Sequence, residues 1–188
     1  MGETFRQVVH LLMGLLGAAV ILRLDDQEAL VFVSAVLVAT FLLCDAFTRG
    51  YDLPVLSGVM DEAERRGKVP LKGGIAYAIG ALFCLAVFGR EYTAVGLVTL
   101  GLLDSVSTIA GLRFGRHTIR GSKSLEGTLT GAVAAALALI FLVPWWAAVV
   151  VAGVAGVVEA YSPLDDNVAI QVAVCLTLAL MGVVVTVF

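Results

Sequence analysis

Apolar residues form seven runs along the chain, and short polar stretches separate them. The runs cover residues 6–22, 30–47, 73–89, 93–111, 128–143, 145–160 and 168–187. A helix needs about 20 largely apolar residues to cross a bilayer, and several of these runs are shorter, so thin or tilted packing is expected. Lipid permits only helices or closed barrels, and the runs lack the alternation of barrel strands. The pattern predicts an all-α polytopic membrane protein with about seven transmembrane helices and no sheet.

The composition agrees with a single membrane domain. Of the 188 residues, 60% are hydrophobic and 14% are charged, whereas soluble domains average about half apolar and a quarter charged. Because the apolar excess extends over the whole chain, we expect residues 1–188 to form one integral membrane domain, with no nucleic-acid partner. The start of the first run is poorly basic and further runs follow it, which favours a retained helix; a cleaved signal peptide is the alternative.

The basic residues indicate how the chain is oriented. If seven spans alternate, one side of the membrane holds the N-terminus and the loops 48–72, 112–127 and 161–167. That side carries all of the twelve Lys and Arg residues except Arg23 and Arg90. Cytoplasmic loops are enriched in these residues. We therefore expect a cytoplasmic N-terminus, in a cell membrane or in the endoplasmic reticulum.

Asp104 is a carboxylate inside the apolar run 93–111. It precedes Gly111 by seven residues, which places it about 10 Å inside the cytoplasmic end of the helix. An ionisable residue inside a membrane indicates function when it has a partner. Asp104, Ser107 or Thr108, and Gly111 share one helix face, against which a metal ion or a basic residue could lie. The alternative is a carboxylate that hydroxyl groups and an Arg hold for packing alone.

The stretch 112–131 combines four basic residues with several glycines. Glycines allow backbone N–H groups to approach phosphates, and Arg and Lys supply positive charge. Ser124 and Glu126 lead into the next helix, whose N-terminus favours anions. We interpret this loop as a cradle for a nucleotide polyphosphate, with Glu126 near enough to hold Mg2+. An ordinary positively charged cytoplasmic loop is the alternative.

Two groups near the starts of predicted spans add candidates on the same side. Arg6 and His10 share one face of the first helix, where they would contact phosphate or instead serve as an interfacial Arg and a bonded His. Gly14 and Gly17 continue that face and allow a close neighbour. Residues 72–74 begin the third run as a second phosphate contact or a simple helix entry. The charged run 61–68 is predicted to be a solvated helix or turn.

The segment after the sixth run carries the remaining polar candidates. Glu159 lies at the membrane edge, and Pro163 ends the helix. Asp165, Asp166 and Asn167 precede the last run, where they would contact a metal ion or nucleotide hydroxyls. The alternative is Asn167 as a helix N-cap beside solvated aspartates.

Five blocks along nearly the whole chain resemble the CTP-dependent lipid kinases. That family includes dolichol kinase, phytol kinase and CTP-dependent diacylglycerol kinase, and it is related to phosphatidate cytidylyltransferase. Arg6 to His10 looks like Arg-Lys-x-x-His, and Lys72-Gly73-Gly74 looks like Gly-Lys-Gly. Leu103 to Ser107 is similar to Gly-Asp-x-x-Ala, and Gly111 to Arg116 is similar to Gly-Arg-x-Phe-Gly. Lys123 to Gly127 matches Lys-Ser-x-Glu-Gly, and the motifs Glu-x-x-Ser-Pro and Asp-Asn are matched by Glu159, Ser162, Pro163, Asp166 and Asn167. Gln7 and Leu103 depart from the pattern, since the family has a basic residue and a Gly there.

The resemblance implies a catalytic domain that transfers the γ-phosphoryl group of CTP to the hydroxyl of a membrane lipid alcohol at the cytoplasmic face. The expected catalytic residues are Asp104, His10 and Lys123, and the expected Mg2+ ligands are Asp104, Glu126 and Glu159. The expected nucleotide and phosphate contacts are Arg6, Lys72, Gly73, Gly74, Gly111, Arg113, Gly115, Arg116, Ser124, Gly127 and Asn167.

Several alternatives stay open at this point. The lipid alcohol is a polyprenol such as dolichol, a phytol-like isoprenoid, or diacylglycerol, and either Asp104 or His10 would accept its proton. A cytidylyltransferase would use the same nucleotide site to make a CDP-activated lipid from a lipid phosphate. A small transporter or scaffold without enzymatic activity is the third interpretation. Gly-rich helix faces also leave a homodimer open.

Overall fold

Each predicted apolar run contains a helix in the computed structural model, which describes residues 2–51 and 70–186. Helices account for 81% of the structure, so the all-α class is confirmed. The charged run 61–68 and the basic residues within it lie outside the described residues. The helices are α1 (Gly2–Arg23), α2 (Asp26–Thr48), α3 (Lys72–Phe88), α4 (Arg90–Phe114), α5 (Leu125–Leu139), α6 (Trp145–Tyr161) and α7 (Asp166–Met181).

The last helix is shorter than the predicted run 168–187. It ends at Met181 because Gly182 adopts a left-handed conformation, with φ of 60°, and its N–H group bonds to carbonyls of the last turn. Residues 183–186 continue without regular secondary structure, and the N–H of Thr186 donates to the carbonyl of Leu142 at 2.8 Å. This segment therefore packs on the bundle at the end of α5 instead of extending the helix.

Three helices, α1, α2 and α4, are long and apolar enough to cross a membrane by length and composition. The other four have 15 to 17 residues, and a helix of that length rises only about 23–26 Å. Apolar side chains such as Leu16, Phe41 and Leu180 are exposed, whereas Gln7 and Gln171 are buried. Apolar surfaces around an interior that contains polar residues agree with a protein that associates with a membrane.

Helix α4 is the centre of the bundle, and it packs most extensively against α5 and α1. Glycine allows both contacts. A Cβ on Gly14 of α1 would lie 2.8 Å from the carbonyl oxygen of Leu97, and one on Gly131 of α5 would lie 2.7 Å from that of Leu103. The predicted close neighbour of α1 is therefore α4, at Gly14. The GxxxG pair Gly127 and Gly131 likewise forms the contact of α5 with α4.

The prediction that the chain contains no sheet was wrong at one loop, which contains a small antiparallel sheet. Strands β1 (Thr118–Arg120) and β2 (Lys123–Ser124) pair between α4 and α5, and Gly121 supplies the positive φ of their turn. The argument against strands holds for backbone in lipid. This hairpin belongs to the polar loop, where the two strands satisfy part of each other's hydrogen bonds.

We expect Gly131→Ala to lower the thermal unfolding temperature of the detergent-solubilised protein. The added methyl group would overpack the contact of α5 with α4, which costs about 1–3 kcal/mol in well-packed interiors. Gly153→Ala is the matched control, because a Cβ there meets nothing within 4 Å. Gly153→Ala also raises the helix propensity of α6, so the unfolding temperature of this variant should stay the same or rise. Equal unfolding temperatures for both variants would contradict the close contact.

Candidate functional site

Polar side chains from five helix ends meet at one end of the bundle. The N-terminal part of α1, the C-terminal half of α4 and the starts of α5 and α7 contribute to it, together with the end of α6. At the opposite end, Arg90 donates to the carbonyl of Leu24 and lies 3.9 Å from Asp26. The candidate residues from separate sequence blocks are thus neighbours at one end, as expected for helices that alternate in direction.

His10 is the group opposite Asp104. Its Nε2 atom lies 3.6 Å from Oδ2 of Asp104, and the two side chains are 19% and 26% exposed. This distance is too long for a hydrogen bond but short enough for strong electrostatic attraction when the imidazole is protonated. The hydroxyl of Ser105 donates to the backbone carbonyl of Gln7 at 2.8 Å and holds the two helices in register. Sequence analysis treated His10 and Asp104 as separate candidates, and in the structure their side chains are neighbours.

Lys123 joins the hairpin to α6 and α7. Its ammonium group lies 3.2 Å from Oε1 of Glu159 and 2.7 Å from Oδ2 of Asp166, and it also donates to the backbone carbonyl of Glu159. Burial alone would lower the pKa of Lys123, but its hydrogen bond to Asp166 and the charge of Glu159 outweigh burial and raise that pKa. The side chain is therefore a cation that two carboxylates hold at the edge of the site.

The carboxylate of Glu159 is almost fully buried, at 4% exposure, and three side chains satisfy it. Thr128 donates to Oε2 at 2.8 Å, and Ser107 donates to Oε1 at 3.3 Å. Lys123 neutralises the charge, as a buried carboxylate requires. Sequence analysis placed Ser107 on the face of Asp104 but missed Thr128. Thr128 could have been identified as a candidate from its position one turn into the helix that Ser124 caps.

An open cleft of about 540 Å³ lies where the loop joins the end of α4 to the start of α5. Its lining residues are Arg113, Phe114, Gly115, Arg116, His117 and Glu126. The loop predicted to contact phosphate therefore borders a concave surface. Glu126 closes one side, because its carboxylate accepts from the N–H groups of Arg116 and His117 at 3.0 and 3.2 Å and lies 2.6 Å from Nδ1 of His117.

The expected Mg2+ ligands do not come together as a set of three. No group of three or more His, Cys, Asp or Glu side chains that could hold a metal ion occurs within residues 2–51 and 70–186. Glu126 is directed to His117, and Glu159 is directed to Lys123, Ser107 and Thr128. The ligand set of Asp104, Glu126 and Glu159 stays a prediction, and in this arrangement local hydrogen-bond donors hold the two glutamates. Asp104 fits a magnesium ion better, since Mg2+ usually uses one or two carboxylates and takes its other ligands from phosphates and water.

The two weaker blocks also lie at this end. The guanidinium of Arg6 contacts the carboxylate of Glu3. Gly73 faces Asn167, whose amide nitrogen would lie 3.7 Å from a Cβ on that glycine, so the segment Lys72–Gly74 borders the start of α7. The N-cap of α7 is Asp165, which accepts from the N–H of Asn167 at 3.2 Å. The interpretation of Asn167 as the N-cap was wrong by two residues.

Several residues of the phosphate cradle have structural roles of their own. Ser124 is the N-cap of α5, and its hydroxyl accepts from the N–H of Gly127 at 3.2 Å. A Cβ on Gly111 would lie 3.0 Å from this hydroxyl, and one on Gly127 would lie 2.5 Å from the carbonyl oxygen of Ser107. These glycines let α4, α5 and the loop approach one another. Their contact with phosphate stays a prediction.

A comparison with known proteins gives one informative relative. The chain is 31% identical to an uncharacterized protein of Methanocaldococcus jannaschii over 144 residues, which cover 74% of this chain and 72% of that protein. The chain belongs to the family of this archaeal protein. No family model matches the chain, and no solved structure matches it significantly. Because that protein is uncharacterized, the relationship assigns no activity to this chain.

We expect Lys123→Met and Glu159→Gln to be coupled in their effects on stability. Loss of Lys123 leaves a buried carboxylate without its cation, which is strongly destabilising, so adding Glu159→Gln should recover part of the loss. The coupling energy of such neighbours is roughly 1–3 kcal/mol. The measurement is a double-mutant cycle of unfolding in detergent.

Arg49→Met is the matched control for this cycle. It removes an exposed ion pair in which Arg49 lies 2.7 Å from Asp45, and such pairs contribute about 1 kcal/mol or less. Its unfolding free energy should stay near that of the unmodified protein. Additive effects of the Lys123 and Glu159 substitutions would show that the buried ion pair does not stabilise the site.

Proposed function

We propose that the protein is a CTP-dependent kinase that phosphorylates the hydroxyl group of a membrane lipid alcohol. The observation that carries the proposal is the convergence of His10, Asp104, Lys123, Glu159 and Asp166 at one end of an apolar helix bundle. These residues come from four of the five blocks that resemble the lipid kinases. A packing role alone would not require a second pair of titratable side chains, His10 and Asp104, near the ion pair of Lys123 and Glu159.

The chemistry of phosphoryl transfer fits these groups. The transition state spreads negative charge over the transferred group, so positioning and electrostatic stabilisation supply most of the catalysis. Arg113 and Arg116 line the cleft beside the site, where they would bind the polyphosphate of CTP. Lys123 is a partly exposed cation between this loop and the carboxylates, from which it would contact the transferred group.

Asp104 and His10 would act on the acceptor alcohol. They lie next to each other, where the hydroxyl of a membrane lipid would meet a water-soluble nucleotide. Asp104 would also hold Mg2+, which when bound neutralises charge on the CTP phosphates. His10 is then the group in position to accept the proton of the alcohol while Asp104 orients the imidazole.

The proposal includes an orientation in the membrane. We infer seven spans with the active site in the cytoplasm, at the cell membrane or the endoplasmic reticulum. The convergence of the described helix ends supports this alternation, as does the distribution of basic residues. The four shorter helices would then lie in a locally thin bilayer.

The test uses CTP labelled at the γ- or the α-phosphorus, supplied with Mg2+ and a panel of lipid alcohols and lipid phosphates. We expect label from the γ position in the lipid, and we expect Asp104→Asn to lower this transfer by about 100-fold or more. Asp26→Asn is the matched control, because it changes an exposed carboxylate at the other end of the bundle. It should retain the transfer rate of the unmodified protein.

The same assay distinguishes the rival functions. Label from the α position in the lipid would establish a cytidylyltransferase and overturn the kinase. The absence of transfer together with an absence of CTP binding would favour a transporter or scaffold. Near-normal γ-transfer by a folded Asp104→Asn protein would remove Asp104 from the mechanism.

A further inference from the structure

The open cleft at the end of α4 is lined by side chains of opposite charge. Two cations, Arg113 and Arg116, and one carboxylate, Glu126, border the same space of about 540 Å³. Within residues 2–51 and 70–186, neither guanidinium group has a hydrogen-bond or ion-pair partner, so both are available to bind phosphate. Glu126 repels phosphate, and it therefore contacts a different part of any phosphate-bearing ligand that fills the cleft.

The hydrogen bonds of Glu126 leave it one further position at which it can accept. A carboxylate has about four such positions. The N–H groups of Arg116 and His117 and the Nδ1 atom of His117 occupy three of them. Because the Glu126 side chain is 28% exposed, the last position is open to a ligand. It suits one N–H donor, and it repels an oxygen acceptor.

Phe114 adds an exposed aromatic ring to the same cleft. It is the last residue of α4, and it is 67% exposed. The loop turns against the start of α5 directly after this ring, because a Cβ on Gly115 would lie only 2.8 Å from the hydroxyl of Ser124. A nucleobase can stack on an exposed aromatic ring whatever its sequence identity, since every base has a π-face. Stacking would thus hold a base in the cleft, and Glu126 would test its edge.

We propose that the cleft binds the nucleobase as well as the phosphates, and that Glu126 selects bases with an exocyclic amino group. The base stacks on Phe114 and donates one amino hydrogen to Glu126, while Arg113 and Arg116 contact the phosphates. Cytosine and adenine carry such an amino group, whereas uracil and hypoxanthine carry an oxygen in its place. This inference rests on the proposed nucleotide site, but it concerns binding, which can be measured without a lipid.

The experiment measures nucleotide binding to the full-length protein in detergent by titration calorimetry. Its probes are two pairs that differ at the amino position, CTP with UTP and ATP with ITP, together with inorganic triphosphate, which has no base. We expect each amino nucleotide to bind at least about tenfold more tightly than its oxo counterpart, because the oxo group faces a carboxylate without donating to it. Triphosphate should bind more weakly than any of the four nucleotides.

Glu126→Gln tests the selection. An amide offers both a donor and an acceptor, so the preference for CTP over UTP should fall to about threefold or less, with triphosphate binding unchanged. The titrations are repeated with EDTA in place of Mg2+, because a contact of Glu126 with the base persists without the metal ion. Glu91→Gln is the matched control at the opposite end of the bundle and should keep the full preference. An unchanged preference in Glu126→Gln, or a preference that EDTA abolishes, would overturn the role of Glu126.

Phe114→Ala tests the stacking. It should weaken the binding of all four nucleotides by about tenfold or more while triphosphate binds as before. Phe141→Ala is the matched control, because Phe141 is an aromatic residue of 69% exposure beyond the other end of α5. It should bind every probe normally. Equal losses of nucleotide and triphosphate binding in Phe114→Ala would show that the ring only supports the loop, and would overturn the stacking.

The binding test and the transfer test fail separately. If no lipid receives label from CTP, a preference for amino bases that Glu126→Gln removes still establishes the base site. If the protein phosphorylates lipid equally well with γ-labelled CTP and UTP, the base selection is wrong and the kinase stands. A protein that binds none of the probes would overturn the base site.

Discussion

The buried carboxylate of Glu159 is the group on which the arrangement of this end of the bundle depends. A charge at 4% exposure needs a counter-charge and hydrogen-bond donors. Lys123 supplies the charge from the hairpin, and Ser107 and Thr128 supply hydroxyl donors from α4 and α5. One carboxylate therefore fixes four parts of the chain relative to one another. Asp166 extends the network to α7 through the same lysine.

This network explains why the site combines rigidity with a partly exposed cation. The small residues of α4 and α5 allow the helix backbones to approach closely, as at Gly131 and Leu103. These close contacts form a frame of helices, and Lys123 lies at the edge of that frame. Lys123 carries the positive charge of its pair with Glu159. His10 and Asp104 lie in a second, less saturated pair, since their 3.6 Å separation leaves hydrogen-bonding capacity for another molecule. The first pair is suited to hold the structure, and the second is suited to bind a ligand.

Much of this could be predicted from sequence, because helix position follows from apolar runs and candidate residues follow from unusual charges. Each of the seven runs contains a helix, and Asp104 was singled out for its position within one of them. The partners were harder to predict. The preference of Glu126 for His117 and two backbone N–H groups depends on the loop conformation, and the bond from Thr128 to Glu159 depends on the packing of α5 against α6. Periodicity places residues along a helix but leaves open which helices are neighbours.

If the protein is the kinase that we propose, the position of the two pairs also bears on how it would join a lipid and a nucleotide. A nucleotide needs exposed cations, which the loop with Arg113 and Arg116 provides beside an open cleft. A lipid hydroxyl needs a polar group that remains inside the apolar bundle, which His10 and Asp104 provide at 19% and 26% exposure. Lys123 lies on strand β2, in the same loop as Arg116, and its ammonium group contacts Asp166. It therefore borders both the exposed loop and the buried carboxylates. In the proposed kinase, such a site would keep the lipid in the bilayer and the nucleotide in water, and it would bring only the reacting groups together.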